Sequence, residues 1–126
     1  MALTNAGRDH IAKAINGEAP TPFNAANAFI GAGDTNTAFD AAQTDLAAPA
    51  NKLRKGMDPT YPQRTDNVLT LRATFGIAEA NWDWKEWAVF NAAAAGTMLS
   101  RKVEELGVKV ATQSWQITVA LTVTAA

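Results

Sequence analysis

Cysteine is absent from this sequence, histidine occurs once, as His10, and serine twice, as Ser100 and Ser114. Without thiols there is neither a disulfide framework nor a thiolate metal site, and the redox compartment stays open. A nucleophilic triad would have to combine His10, on a predicted helix, with Ser100 or Ser114, both in strand-like surroundings without a nucleophile elbow. The residue set is therefore poor for an enzyme, and His10 reads as a solvated or half-packed side chain rather than a general base. Excess charge is also missing: 11 basic residues stand against 12 acidic ones, a net charge of -1, so bulk charge supplies no nucleic-acid surface. No apolar run approaches the length of a membrane span, and the N-terminus lacks the apolar core of a signal peptide. These features predict a protein used without export or membrane insertion.

Two partial motifs fail for lack of their remaining members. Gly31-Ala32-Gly33-Asp34 has no third glycine and no following Lys-Ser/Thr, so it predicts a turn rather than a phosphate loop. Asp34, Asp40 and Asp45 lack the alternating spacing and terminal bidentate glutamate of a calcium loop. No metal or other cofactor is expected.

What is present is alternation. Over residues 114–124, Trp115, Ile117, Val119, Leu121 and Val123 occupy every second position, the signature of a strand with one buried face. β-Branched residues fill it, as a pleated half-buried surface favours. This strand is expected to be the one around which the chain is organised. Residues 68–75 repeat the pattern, with Leu69, Leu71, Ala73 and Phe75 on one side and Arg72 and Thr74 on the other. Residues 28–33 and 52–57 predict shorter strands, the latter an edge strand between Pro49 and Pro59. Residues 58–66 predict a loop. Residues 93–96 predict a turn, 97–103 a returning hairpin strand, and Gly107 a break.

One helix is predicted at about 4–16, capped by Thr4 or Asn5, with Ile11, Ala14 and Ile15 on its apolar face and Asn16-Gly17 as its stop. Pro20 and Pro22 forbid continuation. The sum is one domain over residues 1–126, mainly β: an antiparallel β-sandwich or open barrel of about five or six strands with one N-terminal α-helix.

Three of the four tryptophans, Trp82, Trp84 and Trp87, fall within ten residues. Aromatic side chains on both faces of one strand predict burial from two sides or a bulge that re-aims one of them. They serve either as core or as interface anchors. Asp83 and Glu86 beside them suggest the carboxylate pair of a sugar-cleaving site, but residues three apart in a strand point to opposite faces. The expectation is an exposed Asp83 and a Glu86 bonded to Arg72 or Arg101. Lys52, Arg54, Lys55 and Arg64 form the densest basic stretch, either the charged guard of an edge strand or a docking patch for an acidic protein.

Leu3-Thr4-Asn5-Ala6-Gly7, Ile30-Gly31-Ala32-Gly33-Asp34, Lys52-Leu53-Arg54-Lys55-Gly56-Met57-Asp58 with Tyr61-Pro62, Trp84-Lys85-Glu86-Trp87-Ala88-Val89-Phe90-Asn91, Gly96-Thr97-Met98-Leu99 and the threonine-rich end together resemble small virion proteins of tailed bacteriophages. Their order is similar to that of the N-terminal attachment domain of phage tail-collar fibres. The resemblance spans nearly the whole chain and rests on framework positions. It implies a virion structural protein, assembled in the host cytoplasm, that binds copies of itself or other tail, baseplate or capsid proteins. Because the sequence ends at Ala126 without a shaft or receptor-binding tip, the expectation is an adaptor or a tail, baseplate or head-decorating component. The contact residues expected on that reading are Lys52, Arg54, Lys55, Arg64, Trp82 and Trp84. A carbohydrate-binding β domain built on the tryptophans is the alternative from another class.

Overall fold

The computed structural model describes residues 2–125. Its elements are β1 (Ala2–Leu3), α1 (Asn5–Ile15), β2 (Phe29–Gly33), β3 (Lys52–Gly56), β4 (Gln63–Thr65), β5 (Val68–Phe75), β6 (Asp83–Phe90), β7 (Met98–Val108) and β8 (Trp115–Thr122). The strands form a five-stranded sheet, β1-β7-β6-β2-β3, and a three-stranded sheet, β4-β5-β8, with every pair antiparallel. Among the described residues the two sheets form a β-sandwich with one N-terminal helix and no closed barrel, within the expected choice of sandwich or open barrel.

The main core lies between the sheets. Ile30 and Ala32 of β2, Trp84, Trp87 and Val89 of β6, and Leu99 of β7 meet Leu71, Ala73 and Phe75 of β5 and Val119 of β8. β5 therefore buries the predicted face. Both β5 and β8 keep strict alternation, because each has core on one side and solvent on the other.

A second, smaller cluster occupies the outer face of the large sheet, where Leu46 covers Ala88, Phe90 and Met98. Leu46 belongs to residues 34–50, an extended covering segment with neither helix nor strand. Gly33 leaves room for the Glu86 side chain that holds this segment, since a Cβ there would stand 2.3 Å from the Glu86 carboxylate. β6 is thus buried from two sides. A register irregularity between Trp84 and Glu86 puts Trp84 and Trp87 in the same core, combining the two arrangements expected of the aromatic stretch.

Several expectations are corrected. Among the described residues β8 pairs only with β5, as an edge strand, and the chain is organised instead around β6, flanked by β2 and β7. Val123 lies past the end of β8 and is 70% exposed. Gly107 does not end the hairpin strand: with a φ of +108° it sits opposite Trp84 inside β7. The predicted 58–66 loop contains β4, and β1 pairs with Ser100 and Arg101. Neither is foreseeable, since strands of two or three residues show no period.

The helix runs as predicted, with the Thr4 side chain accepting from the Gly7 N–H. Its buried side differs. Gly7 sits so close to β7 that a Cβ would stand 2.2 Å from the Leu99 carbonyl, whereas Ala14 is exposed and Ile15 is 83% exposed. Only Ile11 of the predicted apolar face packs against the core.

Candidate interface: an open seam beside strand eight

The basic stretch is largely partnered within the chain. Lys52 and Arg54 both bind Asp45, at 2.9 and 3.1 Å; Arg54 also donates to the carbonyls of Ala92 and Ala95 and lies 3.5 Å from the Phe90 ring centre. Burial opposes the ionisation of Asp45, but hydrogen bonds from Lys52, Arg54 and the Leu46 N–H outweigh it and hold its pKa below the ordinary value. Lys55 binds Glu79 at 2.8 Å, and with the Gly76 N–H it lowers the Glu79 pKa. Arg64, on β4, donates to the Asp66 carbonyl. Lys52, Arg54 and Lys55 are the charged edge of one sheet, Lys55 tying that edge to the β5–β6 loop, with Arg64 on the other sheet.

Trp84 is 1% exposed and donates its indole N–H to the Ala80 carbonyl, so it is core and not a surface contact. Trp82 is half-buried against the same core. The sugar-cleaving pair, disfavoured by spacing, does not form, and Glu86 meets Arg101, one of its two expected partners. Asp83 is half-buried and 3.8 Å from Lys85, while Glu86 is wholly buried and bonded to Arg101 at 2.8 Å. Glu86 also accepts from the amides of Ala47 and Ala48, and Arg101 donates to Gln43 and the Thr37 carbonyl. That network fastens the covering segment to the sheet and leaves the carboxylate no face for a substrate. His10 packs edge-on against Phe23, and burial, helped by Lys13, lowers its pKa.

A concavity lies elsewhere, between the two sheets on the β7 and β8 side. It measures about 490 Å³ and is lined by Trp84, Trp87, Glu104, Leu106, Trp115 and Ile117 among others. Its shape follows from β7: Val103 opposes Glu86 and Gly107 opposes Trp84, so residues 104–106 bulge opposite Lys85 alone. Glu104 turns back to accept the Trp87 indole N–H at 3.0 Å. That bond, aided by Lys102 and opposed by partial burial, holds its pKa below the ordinary value. Trp115 meets Trp84 edge-to-face at 5.1 Å. Glu104 and Leu106 escape sequence reasoning because a bulge has no period to reveal it.

The chain matches no protein-family model and no curated protein sequence.

Proposed function

We propose that this chain is a virion structural protein of a tailed bacteriophage, most simply a tail, baseplate or fibre-attachment component, acting by protein–protein assembly without catalysis or cofactor. The observation that carries an assembly role is the open seam: a full-length edge strand, β8, bordering a tryptophan-lined groove. Edge strands and aromatic grooves are what added protein strands recognise. The phage assignment rests on the resemblance, whose residues fall on framework positions here. Thr4 is the helix cap, Gly33 the close approach, Glu86 the buried anchor, and Gly96-Thr97 the β6–β7 connection.

Co-sedimentation of purified protein with isolated tails and with empty capsids tests the reading. Binding to tails is expected; binding to capsids alone would make it a head-decorating protein, and binding to neither would sink both. A carbohydrate-binding reading has one observation in its favour, the half-exposed Trp115 beside Gln116 and Glu104 in the groove. Tryptophan fluorescence unchanged across a glycan panel would remove it.

A further inference from the structure

We infer that β8 pairs antiparallel with β8 of a second copy, joining two three-stranded sheets into one; this deepens the assembly reading above and rests on it. The four sheet edges are not alike. β3 carries Lys52, Arg54 and Lys55, β4 carries Arg64 and is three residues long, and β1 is two residues long. β8 spans eight residues, and no charged residue, proline or glycine occurs from Val110 to the end of the sequence. Edges that must stay single are normally short, charged or interrupted. β8 has none of these guards.

The backbone shows which groups are free. The Val123 N–H donates to the Asn67 carbonyl, and the register from Val68↔Thr122 to Phe75↔Trp115 is unbroken. Because ladder bonds alternate along an antiparallel pair, the odd-numbered residues direct their N–H and C=O groups to β5. Gln116, Thr118, Ala120 and Thr122 direct theirs outward, away from β5.

The sequence fits itself across a two-fold axis at Val119. Thr118 then exchanges hydrogen bonds with Ala120 of the copy, and Gln116 with Thr122. On the inner face Ile117 opposes Leu121, and Trp115 opposes Val123, which is otherwise 70% exposed. Apolar residues meet apolar ones because paired numbers sum to an even value, and no like charges oppose each other. The same operation on β3 would set cations against cations. The groove beside Trp115 and Ile117 supplies room for the copy's inward side chains.

Light scattering up to roughly millimolar protein should give twice the 13.3 kDa of one chain. Thr118→Pro removes a donor that β5 does not use, so it should give a monomer that melts as wild type does at dilutions where wild type is itself monomeric. If that variant fails to fold, Thr118→Lys, on the exposed face, should raise the dissociation constant at least roughly tenfold. Since the chain has no cysteine, Val119→Cys should cross-link into a dimer on mild oxidation. Thr122→Cys should not, its mate lying well beyond the roughly 7 Å Cα limit of a disulfide.

A wild-type monomer at every concentration, a dimer insensitive to both Thr118 changes, or faster cross-linking at Thr122 would overturn the proposal. A monomer whose binding to phage tails is abolished by Thr118→Pro would overturn self-pairing while leaving the assembly reading intact. A dimer that binds no phage particle would uphold self-pairing and overturn the phage assignment.

Discussion

Glu86 and Arg101 form an ion pair 2.8 Å long with both side chains fully excluded from solvent. They stand on adjacent strands, β6 and β7, and each reaches outward to residues 34–50: the carboxylate to the amides of Ala47 and Ala48, the guanidinium to Gln43 and Thr37. Breaking such a pair leaves an uncompensated buried charge. Arg101→Met should therefore cost about 3–5 kcal/mol in urea denaturation. A Glu86→Met/Arg101→Met double variant should not recover wild-type stability, because the Ala47 and Ala48 amides lose their acceptors at roughly 1–3 kcal/mol each. Full recovery would show that the covering segment holds without the pair.

Two glycines test close approach. Gly7→Ala forces a methyl group against the Leu99 carbonyl, and Gly33→Ala forces one against the Glu86 carboxylate. Backbone yields less readily than a side chain, so both should destabilise by roughly 1–3 kcal/mol, Gly7→Ala more than Gly33→Ala. Thermal melting of the two variants would reveal the order.

Val119 and Ile15 separate the true apolar surface from the one that periodicity suggests. Val119 is 4% exposed between the sheets, so Val119→Asp should cost several kcal/mol and prevent folding. Ile15 is 83% exposed, and Ile15→Asp should stay within about 0.5 kcal/mol of wild type. A large loss at Ile15 would mean that the far end of the helix is covered.

Acid should weaken the protein through its paired carboxylates. Glu79 and Glu104 lie below their ordinary 4.5 and Asp45 below its ordinary 3.8. A lowered folded pKa adds stability that is complete above the unfolded value and is lost as pH falls through the folded one. The melting temperature should then fall steadily below about pH 4.5. Glu79→Gln should shrink that fall. His10, lowered from 6.5, follows the same sign: the unfolded chain takes the proton first, so a small loss begins below that value and His10→Gln should abolish it.

Periodicity made β5, β8 and the helix legible, because side-chain direction along one element is a local property of the backbone. The turn at residues 93–96 and the charged β3 edge were legible for the same reason, turn and guard chemistry acting within a few residues. Whether Glu86 meets Arg72 or Arg101 was not, since only the placement of β7 beside β6 brings Arg101 near. Nor did alternation reveal that Trp84 is core or that residues 104–106 bulge, as both follow from cross-strand register.

The sequence by itself determined a mainly antiparallel β domain with one capped helix and no thiol chemistry, through spacing and residue type. Only the tertiary structure decided strand order: β6 is central and β8 is left on an edge. Which strand keeps free hydrogen-bonding groups depends on what lies beside it in space, and neighbours along the chain carry no record of that.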